Sequence, residues 1–405
     1  MENPFSVAVP GPLKPSATRF ACALLRQGYR RQSARIQIDL FTQLSAWLVD
    51  EGLAPSELSS THVARFLAAR RRTGATRYVS EKSMCAILAH LRDEGVVHMP
   101  APVAVVGVVE STLERYREYL TRERGLVATT ARLYLYLVRP FVSTRVAPDS
   151  FTLDWGALRA ADVIGFVVAR TPQQSRGVAK LMATALRSFL GFLHVDGRIA
   201  HSLTGAVPCV AGWRLAGLPK GLTPSAVRAL VASCDRRRAS GRRDFAILTM
   251  LVRLGLRAGE VAALRLDDID WRRGTLVVRG KGHQVEPLPF PKDVGDAVVR
   301  YLRRGRPATA MDRALFVRVK APHRGLTALG VSGIVAAAAR RAGLGRVHAH
   351  RLRHTAAIQL LRAGAPLPEI GQLLRHRRAQ TTALYAKVDR AALRTIARPW
   401  PGGVA

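Results

Sequence analysis

The chain has 405 residues, with 63 Lys and Arg against 28 Asp and Glu, and a formal net charge of +35 at pH 7. A length of that order supports two or three domains with cores of their own. The charge excludes an acidic, self-solvating protein and points first to a polyanionic partner, nucleic acid above all.

The opening stretch "MENPFSVAVPGPLKP" has no basic segment followed by an apolar run, and no later segment reads as a membrane span. A cytoplasmic, nucleoid-associated location is therefore expected. Cys22, Cys85, Cys209 and Cys234 lie far apart and form no CxxC pair, so they are expected to be reduced, half-buried thiols.

Residues 1–200 contain a weak internal repeat. "QGYRRQSARIQIDL" (27–40) aligns with "RGLVATTARLYLYL" (124–137), which pairs Gly28 with Gly125, Arg35 with Arg132 and Leu40 with Leu137. "HVARFLAAR" (62–70) then aligns with "DVIGFVVAR" (162–170), and "ILAHLRDEG" (87–95) with "FLGFLHVDG" (189–197). The pattern predicts two tandem helical modules, over 1–105 and 106–205. "HMPAPVAVVGVV" (98–109) reads as the first linker, and the second falls within "SLTGAVPCVAGWRLAGLPKG", where we place it at 206–221.

From 222 to 405 the texture changes to that of a third domain. "LTPSAVRALVASCDRR" predicts a helix with Thr223 as N-cap and Pro224 in its first turn. "RRDFAILTMLVRLG" predicts an apolar helix stopped by Gly255. In "GLRAGEVAALRLDDID", Arg257 precedes a short helix whose Val261 and Leu264 face inward. "GTLVVRGKGHQVEPLPF" predicts a hairpin around a Gly-Lys-Gly turn, with Lys281 at its tip. Helices then dominate, which makes the fold mainly α with a small β-hairpin.

The densest chemistry is in "HAHRLRHTAAIQLL", residues 348–361. His350, Arg353 and His354 stand at i, i+3 and i+4, on one helix face, with Leu352, Ala356, Leu360 and Leu361 covering much of the other side. His350 and His354 also have the spacing of a zinc pair. With Arg353 between them and no glutamate after His350, an anion fits better: a guanidinium grips two phosphate oxygens at once and stays charged. "LLRHRRAQTTALYAKV" (373–388) adds His376, nine residues before Tyr385.

In this order, Arg257, Lys281, His350, Arg353, His376 and Tyr385 resemble the signature of the tyrosine recombinases, the phage-integrase family, of the mobile-element integrase or transposase type. The resemblance covers 222–390, and more loosely 110–200, which is similar to the family's helical core-binding domain. It implies a site-specific DNA recombinase in which Tyr385 attacks the scissile phosphorus and leaves a 3′-phosphotyrosyl link. Arg257 and Arg353 would stabilise the charge at phosphorus, and Lys281 would protonate the leaving oxygen. His350 and His376 would orient the phosphate and help move the tyrosine proton. No metal, ATP or other cofactor is implied, and the partners would be double-stranded DNA and further copies of the chain in a tetrameric synapse. His354 matches a common structural neighbour without a required role, and His348 has none.

Two departures stand out. The family usually has Gly before the second histidine, where this chain has Arg375, which would be strained at positive φ but could add a phosphate contact. After Gly282 the hairpin reads "HQVEP" where more basic residues are usual. Arg35, Arg132 and Arg375 are the expected DNA contacts outside the catalytic set. Relaxation of one duplex by a type IB topoisomerase-like activity, and DNA binding without catalysis, are the alternatives; the helical modules and the complete six-residue set favour recombination.

Overall fold

A computed structural model of the chain describes residue 5 and residues 8–98, 107–148, 151–210, 221–280, 285–376 and 379–385. Lys281, most of both linkers and everything after Tyr385 lie outside the described residues. Two compact units result, one from residues 1–99 with 217–405, the other from 100–216.

The first unit begins with α1 (Lys14–Arg26), α2 (Arg31–Asp50), α3 (Ser60–Arg72) and α4 (Glu81–Asp93). Their apolar faces enclose Phe20, Phe41, Leu44, Phe66 and Ile87, with Phe20 stacked on Phe41 at 4.8 Å between ring centroids. Ser59 caps α3 by accepting from the His62 amide.

The second unit has α5 (Val108–Glu118), prolonged by a π-helical turn, then α6 (Ala128–Ser143), α7 (Ala160–Arg170) and α8 (Arg176–Val195). Tyr116, Phe141, Trp155, Phe189 and Phe192 form its core. The aligned repeat segments fall on helices in the same order in both bundles. The matched glycines share a backbone need: Gly28 and Gly125 have φ of 84° and 58°, and Gly95 and Gly197 both have 70°. These are left-handed positions after or between helices, where a side chain would be strained.

One sequence expectation needs correction here. α8 is long and apolar enough, by length and composition, to cross a membrane, with a mean hydropathy of 1.3. Lys180, Thr184, Arg187 and Ser188 interrupt its apolar positions, so it contains no unbroken apolar run of that length. Half of that window is buried inside the bundle, where Met182, Leu186, Phe189 and Leu193 join the core.

The rest of the first unit carries α9 (Pro224–Ala232), α10 (Ala239–Leu254), α11 (Ala258–Ala263), β1 (Ile269–Asp270), β2 (Thr275–Arg279), β3 (Val285–Pro289), α12 (Lys292–Arg304), α13 (Ala328–Arg341), α14 (Ala349–Arg362), α15 (Leu367–Leu373) and α16 (Ala379–Ala383). Thr223 caps α9 through the Ala226 amide, and Gly255 ends α10 at φ 58°. The three strands are antiparallel in the order β1-β2-β3, with Val277 opposite Pro287. β1 was not expected: two residues are too short to show a period. α10 runs through the core, and its Ile247, Leu248, Met250 and Leu251 are fully buried.

The first bundle abuts this domain at Gly28. The His323 amide donates to the Gln27 carbonyl, and a Cβ at Gly28 would stand 2.2 Å from the His323 ring. Positive φ and close approach thus both require glycine there. Of the four thiols, Cys234 is buried, Cys22 is intermediate, and Cys85 and Cys209 are exposed, none in a disulfide.

Candidate active site

Four short pieces of chain converge on α14. Arg353 is 1% exposed, and its Nη1 donates to the Gly255 carbonyl at 2.7 Å while Nη2 donates to the Leu374 carbonyl. The left-handed turn after α10 is therefore part of the site: it aims a carbonyl at Arg353, and a Cβ at Gly255 would meet Leu374 at 2.6 Å. With two N–H groups tied to backbone carbonyls, the buried guanidinium is held rigidly. Burial, and then the charge of Arg257, push its pKa down to about 10, so it stays cationic at neutral pH.

Arg257 sits at the N-cap of α11, with its side chain 39% exposed. Glu260, three residues on, accepts from the Arg257 amide at 2.8 Å and from its Nη1 at 2.5 Å. That carboxylate is buried. Burial raises its pKa, but the Arg257 amide, the charge of Arg375 and the Arg257 guanidinium outweigh this and hold it below the usual range. Glu260 was missed in the sequence, although its spacing from Arg257 is that of a capping box.

Arg375 does adopt positive φ, 54°, and its guanidinium turns inward. Its Nη2 donates to Glu260 at 2.7 Å and its Nη1 to the Leu373 carbonyl at 2.7 Å, with the side chain 3% exposed. The phosphate contact expected of Arg375 is thus replaced by a buried ion pair, because Glu260 lies within reach beneath the turn. Two effects compete on substitution. Glycine removes left-handed strain of about 1 kcal/mol, yet it leaves Glu260 with Arg257 alone, at a cost of about 1–3 kcal/mol. Arg375→Gly is expected to lose stability on balance, and Arg375→Ala to lose about 1 kcal/mol more, since alanine keeps the strain. Urea unfolding of the two variants checks this, and equal midpoints would contradict a strained turn.

His350 and His354 lie on α14 with ring centroids 4.5 Å apart. Burial, followed by the charges of Arg353 and Arg257, lowers the His350 pKa. Burial, His350 and Arg353 take His354 to about 4, and burial with the three nearby arginines and His350 takes His376 to about 4 as well. At neutral pH the positive charge of the site therefore resides in its arginines. His376 Nδ1 faces Thr382 Oγ1 at 2.8 Å, a partner not expected from the sequence.

Tyr385 is 2% exposed and packs among Ala357, Ile358, Ile370 and Leu374. Its hydroxyl lies 2.8 Å from His354 Nδ1, and its ring is parallel to that of His376 at 6.3 Å. Burial raises its pKa, against the lowering effect of Arg353. A cavity of about 570 Å³ opens beside His376, between α15, α16 and Glu286 of β3.

The structure thus brings together Arg257, His350, Arg353, His376 and Tyr385. Lys281 lies outside the described residues, but the base of its hairpin is fixed: Arg279 pairs with both oxygens of the buried Asp268 at 2.6 Å. Arg35 on α2 and Arg132 on α6 are both exposed.

Residues 220–391 match the Phage integrase family. Across 402 residues the chain is 39% identical to the putative integrase/recombinase y4rA of Sinorhizobium fredii, covering 97% of this chain and 95% of that one. It is 32% identical over 289 residues to the tyrosine recombinase XerD of Listeria monocytogenes, 70% of this chain and 96% of that one. Among solved structures it resembles the XerH site-specific recombinase bound to a palindromic difH substrate, with TM-score 0.55 at 17% identity over 82% of this chain and 93% of that one. A lambda integrase tetramer bound to a Holliday junction gives 0.54 at 17% identity, over 75% and 85%. At such identities the structures speak for the fold, which is the one expected; the long alignment with y4rA speaks for descent. The chain belongs to the phage integrase family, the tyrosine recombinases, enzymes that transfer DNA strands.

Proposed function

We propose that this chain is a site-specific recombinase of a mobile element, which cuts and rejoins double-stranded DNA through a 3′-phosphotyrosyl link at Tyr385. The observation that carries this reading is the convergence of two anchored guanidinium groups with the tyrosine hydroxyl around one helix, α14. Arg257 and Arg353 hold the non-bridging oxygens of the scissile phosphate and stabilise the charge that develops there. Lys281 protonates the leaving 5′-oxygen, and His350 and His376 orient the phosphate. Relatives named integrase/recombinase and a neighbour described as a tetramer on a Holliday junction support exchange between duplexes by a tetramer, acting in the cytoplasm at the nucleoid, over topoisomerase-like relaxation. The test is covalent capture of the protein on a nicked suicide substrate in excess chelator. An adduct is expected; loss of it, restored by a divalent metal, would overturn the assignment of the charge-stabilising role to the arginines.

On this reading 222–405 is catalytic, 106–205 grips the core site, 206–221 links them, and 1–105 is a second helical DNA clamp. Separate cores at 9–97 and 113–207 and the shared helix order support it. Arg30, Arg31, Arg35 and Arg72 are exposed, whereas Arg70 and Arg71 donate to the carbonyls of Tyr78 and Val79. Deleting 1–105 is therefore expected to flatten the slope of log K against log[salt] by about 3–4, or close to 0.9 per phosphate lost. Fluorescence anisotropy at several salt concentrations measures it, and an unchanged slope would assign the module to protein contacts.

A further inference from the structure

His354 has no role in the six-residue set, yet among the described residues it is the side chain in hydrogen-bonding contact with the Tyr385 hydroxyl. Its Nδ1 lies 2.8 Å from Tyr385 Oη, and their rings meet edge to face at 5.7 Å. The two histidines within the set are placed otherwise. His376 has its Nδ1 on Thr382, with its ring centroid 6.3 Å from that of Tyr385, and His350 meets His354 edge to face. We propose that His354 is the general base that takes the proton of Tyr385 as the tyrosine attacks phosphorus. The inference rests on the reading of Tyr385 as nucleophile.

The step balances as follows. Tyr385 donates from Oη to His354 Nδ1, with the ring proton of the neutral imidazole on Nε2. As the Oη–P bond forms, the phenol proton passes to Nδ1 and the P–O5′ bond breaks; the leaving oxygen takes its proton from Lys281. In rejoining, the 5′-hydroxyl attacks phosphorus and returns its proton to Lys281, while the departing tyrosine recovers its own from His354.

The charged and titratable groups facing His354 are His350 and Arg353 on its own helix and Tyr385 across from it. Without DNA, burial and the Arg353 charge keep the imidazole neutral and the phenol protonated, so the pair is idle. A phosphodiester seated on Arg257 and Arg353 brings a negative charge that offsets Arg353 and favours an imidazolium at His354. Activation of the nucleophile is thereby tied to occupancy of the clamp, which would protect a strand-cutting enzyme from reaction at an empty site.

The test uses the full chain and a nicked suicide DNA. His354→Asn places an amide oxygen near the position of Nδ1, so it keeps a hydrogen-bond acceptor and cannot take a proton. Expected are single-turnover cleavage rates about 10²–10⁴-fold below wild type for both His354→Asn and His354→Ala, with DNA affinity within about twofold as the check on folding. Between about pH 7 and 9 both variants should gain close to tenfold per unit as the phenol ionises, while wild type stays nearly flat. A His354→Asn rate close to wild type would reduce His354 to holding the ring and overturn the proposal. So would a flat pH profile in both variants. An adduct formed by Tyr385→Phe would instead overturn the assignment of the nucleophile, and this proposal with it.

Discussion

Tyr385→Phe is expected to abolish covalent capture of nicked DNA, by on the order of 10⁴-fold or more, and to leave DNA affinity nearly unchanged. The substitution deletes one oxygen. That oxygen is the proposed nucleophile, and no other group of the site can form the phosphotyrosyl bond. Binding is spared because the ring is buried among Ala357, Ile358, Ile370 and Leu374, a packing that phenylalanine reproduces, and because the arginines proposed to grip phosphate are anchored by backbone carbonyls and Glu260 instead of by the tyrosine. Stability should fall by only about 1 kcal/mol, the net worth of the lost bond to His354. Denaturing gels of the trapped adduct, with gel shifts on the same DNA, separate the two effects. An adduct that persists would move the nucleophile elsewhere, and Tyr136, 73% exposed on α6, would be the first residue to examine.

What the sequence made legible is what short-range physics controls. Thr223 caps a helix that Pro224 opens, Gly255 stops α10 in a left-handed turn, and the Gly-Lys-Gly segment is flanked by β2 and β3. The face shared by His350, Arg353 and His354 follows from a period of 3.6 residues. The repeated glycines show as positive φ at matched places in two bundles. Illegible were contacts that join distant segments, for which no local period exists. The bond from His354 to Tyr385 spans 31 residues and that from Arg375 to Glu260 spans 115. The second case is instructive. The strain at Arg375 was foreseeable from its position before His376, but the direction of its side chain depended on a carboxylate in another helix. The docking of Gln27 and Gly28 on His323 belongs to the same class.

Arg353→Lys is expected to reduce cleavage by on the order of 10³-fold or more, although charge is conserved. Arg353 reaches two carbonyls at once, those of Gly255 and Leu374, and on the proposed reading its remaining N–H groups meet the phosphate. A lysine ammonium is a single point: it can satisfy one carbonyl and then faces away from the anion, or meet the anion and leave both carbonyls unpaired. Either choice is made at a position 1% exposed, where the unpaired groups cost about 1–3 kcal/mol and the ammonium tends to lose its proton. Stability and cleavage should therefore fall together, which by itself would not separate chemistry from folding. Arg257→Lys supplies the separation. Its side chain is 39% exposed and its Nη1 bond to Glu260 can be kept in part by an ammonium, so its melting temperature should change little while cleavage still drops, because the proposed two-pronged grip on phosphate is lost. Thermal melts and single-turnover cleavage on both variants decide the matter: a folded Arg257→Lys or Arg353→Lys that cleaves within tenfold of wild type would show that charge alone, without the guanidinium fork, meets the phosphorus.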